Sequence, residues 1–162
     1  MFVLRRYGVA AALTLIMTSP SFAASADELV RAALAAEARL DTARALALFL
    51  AAESARPDDA SILQKIARQY SDLSVDLSST EQKKATIERA LAYSRRAVAL
   101  DPKNAENLLS LAVCHGKLAV YSDTRRKVAY SRLVREDAER ALALQPLSLI
   151  HISEPTRLRR IS

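Results

Sequence analysis

Cys114 and His115 are the one place in this chain where a thiol and an imidazole stand side by side. Such a pair suggests a nucleophile with its base, or two metal ligands. Successive residues of a helix project about 100° apart, so a pair carried on one helix cannot serve one metal or one substrate atom. Both side chains are therefore expected to pack. Cys114 is the only cysteine, which removes an intrachain disulfide and any thiolate-rich metal site. No glycine-rich phosphate loop and no motif of paired carboxylates occurs. No catalytic, cofactor-binding or metal-binding residue is expected, and no cofactor. Asp58-Asp59 is expected to cap a helix rather than hold a cation. Arg95-Arg96 and Arg125-Arg126-Lys127 are the basic clusters. Asp123, Glu136, Asp137 and Glu139 dilute them, so a solvated face is expected, with an anionic membrane surface as the weaker use. Tyr70, Tyr93, Tyr121 and Tyr130 stand at core-like spacing.

The elements that position these residues are helices. The chain has 162 residues, half of them hydrophobic, with glycine only at Gly8 and Gly116 and no tryptophan. Few glycines among many strong helix formers argue for an all-α protein. The formal charge of +6 points to nucleic acid until the charges are located. Setting both ends aside leaves 19 basic against 17 acidic residues. The basic excess is terminal, and no nucleic-acid partner is expected.

The two ends read differently from the middle. Arg5 and Arg6 precede the uncharged run Gly8–Met17, and Ser21 and Ala23 supply the small residues of a cleavage site. This order reads as a secretory signal over residues 1–23, with cleavage after Ala23, or second after Ala26. The apolar run is short of the roughly 20 residues that span a bilayer. Export across the inner membrane, to a bacterial periplasm, is the expectation. At the other end, Leu147–Arg157 (LSLIHISEPTR) resembles the in-frame translation of a sequencing-library adaptor, and Ile161-Ser162 match the constant bases after its barcode. Residues 147–162, His151 included, are therefore set apart from the fold, and the natural chain is expected to run on past Pro146.

Between the ends, Pro57, Pro102 and Pro146 each close an alanine-rich stretch, 45 and 44 residues apart. A helix and a stop recurring at fixed period is the mark of stacked helical hairpins. Six helices are expected. The first runs from Ala26 to Ala38, with Asp27 and Glu28 in its first turn. Asp41 caps a second that reaches Ala55. A third, after Asp58 or Asp59, carries Ile62, Leu63, Ile66, Ala67, Tyr70 and Leu73. Ser74 to Thr80 reads as loop, and Ser79 with Gln82 resembles a capping box for the fourth. The fifth carries Leu108, Leu111, Ala112 and Leu118, and Ser122-Asp123 caps the sixth.

Ala45, Phe49 and Ala52 behind Pro57, Leu63, Ile66, Ala67 and Tyr70 ahead of it, and Ala90, Ala97, Leu108, Leu111 and Ala112 around Pro102 resemble the small and large positions of tetratricopeptide repeats. The usual 34-residue period is exceeded by 11 and 10 residues, with the surplus placed around Ser74–Gln82 and Tyr121–Ala129. That longer form, with ARQYSDLS, RAVALDPKNAE and YSRLVREDAERALALQP, resembles the regulator of microtubule dynamics family, whose bacterial relatives are exported repeat proteins of unassigned role. The resemblance implies an open solenoid of about three hairpins over residues 24–146. It also implies a concave groove of first-helix side chains: Asp27, Val30 and Leu34, then Ser61, Gln64, Arg68 and Asp72, then Glu106, Leu109, Val113 and Lys117. The lysine–asparagine clamp that chaperone-type repeats use on a terminal carboxylate is absent. The expected function is an exported, non-catalytic scaffold that binds a protein or peptide in this groove. The alternatives are the targeting portion of a longer protein, and an envelope adaptor that sits on anionic lipid. A microtubule role of the animal members is not expected of an exported bacterial chain.

Overall fold

A computed structural model describes residues 24–145. They form six helices: α1 (Ala26–Glu37), α2 (Thr42–Ala55), α3 (Ala60–Asp76), α4 (Thr80–Leu100), α5 (Ala105–Val120) and α6 (Thr124–Leu144). No strand occurs among the described residues. Each helix packs on the next in sequence, and α3 also meets α5. The short turns make neighbours antiparallel, so the array is three stacked hairpins, with the first helices α3 and α5 of the second and third in contact. The expected leader and the stretch from 146 onward lie outside the described residues.

Each start is fixed by a short polar side chain that accepts from the first free backbone amides. Ser25 accepts from Glu28 N–H, while the Glu28 carboxylate accepts from Ser25 N–H at 2.8 Å, a reciprocal capping box. These bonds hold the exposed Glu28 carboxyl below its ordinary pKa. Asp41, Asp59, Asn104 and Asp123 cap α2, α3, α5 and α6. Ser79 caps α4 through Gln82 N–H, but its hydroxyl turns to the Glu81 carboxylate at 2.7 Å. The reciprocal box thus sits at Ser25, not at Ser79.

The stops of α2, α4 and α6 have a common cause. A residue before proline is driven out of the helical region by the proline ring. Arg56, Asp101 and Gln145 accordingly share one conformation, with φ/ψ of −138/74, −137/83 and −139/72.

Alanines occupy the crossings. Ala33, Ala36, Ala45 and Ala52 are fully buried with Phe49 between α1, α2 and α3, where small side chains let backbones approach and the ring fills the remaining space. Ile87, Ala90, Leu91, Leu111, Cys114 and Leu118 continue the core between α4 and α5. Ala105, Leu108 and Ala141 close it against α6.

One expectation fails. The surplus length is not loop: α3 continues through Ser74 to Asp76, and the turns Leu77–Ser79 and Tyr121–Asp123 are short. The surplus is extra helix, since α3 to α6 have 17, 21, 16 and 21 residues against 12 and 14 in the first hairpin. Serines read as loop because they compete for backbone bonds. Here Ser71 and Ser74 are buried, and Ser74 donates to the Ser71 carbonyl at 2.6 Å, so the competing bond is made within the helix.

Candidate functional site

The parallel first helices α3 and α5 enclose a cleft of about 380 Å³. Gln64, Arg68 and Asp72 line it from α3, and Glu106, Leu109 and Val113 from α5. Lys65, Ser71 and Ser110 line it too, although the sequence reading did not name them. Ser71 and Ser110 carry no charge or bulk that would mark them, but each lies one or two turns from a named residue on the same face. Ser61 is not part of the lining: it sits in the first turn of α3, where its N–H donates to Asp59. Lys117 reaches over from α5 and donates to the Ser71 carbonyl at 2.5 Å. Of the α1 residues, Asp27 pairs with Arg56 at 3.1 Å and Val30 packs on the core, while Leu34 is exposed. The groove residues expected from the sequence therefore divide. Gln64, Arg68 and Asp72 of α3 converge with Glu106, Leu109 and Val113 of α5, Lys117 stands beside them through its bond to Ser71, and Ser61 and the α1 set do not join.

The cleft's charges are tied unevenly. Glu37, at the end of α1, gathers Lys65 at 3.8 Å, Arg68 at 3.5 Å and the Gln69 amide at 3.2 Å. Arg68 also approaches Asp72 at 3.9 Å. Glu106 and Lys117 make no ion pair among the described residues. Val113 is half exposed between them. The Ser71 hydroxyl is buried and has no hydrogen-bond partner.

Cys114 and His115 point into different surroundings, as their adjacency on one helix demands. Cys114 is buried 3.5 Å from the Ser94 hydroxyl, and burial pushes its thiol pKa up, away from the thiolate a nucleophile needs. His115 turns toward α6, where its Nδ1 lies 2.9 Å from Asp137 Oδ2 with both side chains buried. Tyr130 stacks on the imidazole at 5.9 Å, and Nε2 has no partner. Asp137 reads in the sequence as a surface charge. Its spacing from Val134 and Ala141, three before and four after, places it on the buried stripe and is the signal that was available. No group of three or more His, Cys, Asp or Glu residues that could hold a metal occurs among the described residues.

The remaining aromatic and basic residues join hairpins. Tyr70 and Tyr93 stack at 5.9 Å, and the Tyr93 hydroxyl donates to Glu53. Arg96 lies over the Tyr93 ring, donates to Glu53 at 2.7 Å and to the Pro57 carbonyl at 3.0 Å, and so ties α4 to the end of α2. Arg126 pairs with Asp123 at 3.7 Å. The basic clusters thus lose Arg96 to a structural task. Arg95, Arg125 and Lys127 stay exposed. No helix among the described residues is long and apolar enough to cross a membrane.

The model of the regulator of microtubule dynamics protein 1-3 family matches residues 23–152, which takes in the whole helical array. The chain belongs to that family. Two regulator of microtubule dynamics 1 proteins align with it over 90 residues: one from Bos taurus at 29% identity and one from Pongo abelii at 28%. The aligned segment is 55% of this chain but only 28% and 29% of those two proteins, so the chain spans less than a third of the relatives it matches. The family match also runs six residues past Pro146, into the stretch read as adaptor-derived.

Proposed function

We propose that this helical array is a non-catalytic scaffold domain that holds a segment of a protein partner in the α3–α5 cleft. The observation that carries this reading is the cleft itself, where Leu109 and half-exposed Val113 lie among polar residues from two helices. Apolar floors with a few convergent polar groups are the usual form of a recognition site. Membership of a family whose named relatives are regulators supports a binding role over a chemical one. The buried, proton-holding Cys114 is poorly suited to act as a nucleophile.

Selection of a phage-displayed random peptide library on the protein tests this. Peptides should enrich on the native chain and lose binding to Leu109→Asp/Val113→Asp. Failure to enrich, or enrichment indifferent to that double substitution, sinks the reading.

The place of action follows from the leader. The charged start, apolar run and small residues of 1–23 support export to the periplasm, away from the microtubules that the relatives' names mention. Alkaline phosphatase fused after residue 60 should be active, and an inactive fusion would place the domain in the cytoplasm. The limited coverage of both relatives favours a second reading, in which the array is the targeting part of a longer protein.

A further inference from the structure

The cleft is polar along its length. Glu106 and Lys117 stand eleven residues apart on α5, about 16 Å at the rise of an α-helix. Neither has an ionic partner among the described residues, whereas Lys65 and Arg68 are held by Glu37. Between them Leu109 and half-exposed Val113 form an apolar floor. At the Lys117 end, the Lys117 ammonium is fixed beside Ser71 by its bond to the Ser71 carbonyl. Ser71 lines the same cleft and is 4% exposed, and its buried hydroxyl has nothing to bond. An unmatched buried hydroxyl is uncommon in folded proteins and asks for a partner. A ligand oxygen placed there would meet an O–H and an ammonium together, which is the donor set of a carboxylate site. Asp72, the nearby acid, is drawn toward Arg68.

We infer that the cleft takes an extended peptide that sets a cationic side chain at Glu106 and a carboxylate at Ser71 and Lys117, with apolar residues on Leu109 and Val113 between them. The inference rests on cleft binding as the domain's function. Extended chain advances about 3.3 Å per residue, so a ligand that runs along α5 from Glu106 to Lys117 covers the backbone separation of about 16 Å in about five residues, the spacing proposed for its two charged groups. The carboxylate comes from an acidic side chain or from a chain end, and both present the same two oxygens. A second copy of this chain or a lipid surface would not require that spacing.

The probe is a fluorescein-labelled, C-terminally amidated peptide with lysine and aspartate five residues apart and leucine and valine between, followed by fluorescence anisotropy. Companions carry the two charges adjacent, carry none, or replace the aspartate by a free C-terminal carboxylate. The spaced peptide should bind at least fivefold more tightly than the first two, more so at low salt. Equal binding of the free-acid peptide identifies a chain end as sufficient, and weaker binding identifies the side chain. Glu106→Lys and Lys117→Glu should each cost at least fivefold. Ser71→Ala should weaken binding while leaving the melting temperature unchanged or raised, which separates ligand contact from folding. Equal affinity for the uncharged peptide, or indifference to both charge reversals, overturns the inference. Library peptides that need Leu109 and Val113 but lack the spaced charges would overturn it and leave cleft binding standing.

Discussion

Replacing Asp137 by alanine is the most searching test of how the terminal hairpin is held. Asp137 and His115 are each 4% exposed, and their 2.9 Å contact joins α5 to α6. The substitution removes the only partner of His115 Nδ1. Nε2 already has none, so the imidazole would be left in the core with both nitrogens unmatched. A buried polar group stripped of its partner costs about 1–3 kcal/mol, and a buried ion about 3–5 kcal/mol. The expected loss is about 2–3 kcal/mol, the upper part of the range for a stripped polar group. For a domain of this size each kcal/mol moves the melting point by roughly 3–6 °C, so a drop of about 10 °C is expected. Arg140→Ala is the control: Arg140 approaches the other Asp137 oxygen at 3.6 Å but is half exposed, and should cost under about 0.5 kcal/mol. Circular dichroism melts read the global change, and amide exchange should place it in α5 and α6. If Asp137→Ala melts within about 2 °C of Arg140→Ala, the buried pair is not what holds α6 down. His115→Phe/Asp137→Leu, which removes both polar partners, should recover much of the loss.

Leu40 stands at φ 59 in the α1–α2 turn with its side chain 89% exposed, a conformation that penalises a Cβ. Leu40→Gly should stabilise by about 0.5–1 kcal/mol, and a lower midpoint in urea would contradict this. Cys114 should react with iodoacetamide far more slowly in the native chain than in 6 M guanidinium, as about tenfold or more in rate; equal rates would place the thiol at the surface. Burial raises Cys114 from its ordinary 9.0, and burial together with Glu53 raises Tyr93 from 10.0. The native state keeps these protons where the unfolded chain gives them up. Stability is therefore complete below about pH 8 and falls as pH climbs past 9; a urea midpoint flat to pH 11 would refute it. Ala52 is fully buried at a crossing, so Ala52→Leu should cost about 1–3 kcal/mol by overpacking. A neutral outcome in thermal melts would mean the α1–α2 crossing is loose.

Proline, alanine and caps made most of the fold legible. Pro57 and Pro102 act locally, through the residue before them, so their effect can be read without knowing any tertiary contact. Asp41, Asp59 and Asp123 cap for the same local reason. The last turn of α3 from Ser74 was illegible because local preference and tertiary burial disagree at Ser74, and burial decides. The α3 and α5 cleft residues were legible through the resemblance to tetratricopeptide repeats, which says that the first helix of each hairpin faces the groove. Of the α1 set, Asp27 is drawn to Arg56, a residue beyond the next helix, and Val30 is taken up by the core. The Asp137–His115 pair spans two helices, and a single sequence marks such a partner only by an acid on an apolar stripe.

Arg56 and Asp101 adopt closely similar backbone angles, with ψ of 74° and 83°, and Gln145 repeats them. Near-identical joints mean that each hairpin hands the chain to the next in one fixed direction. The array can then grow or shrink by whole units: excising residues 57–101, from one joint to the next, would leave the incoming and outgoing paths aligned. Evolution of such a chain by duplication needs no redesign of its connections, only side chains that fit the new neighbour.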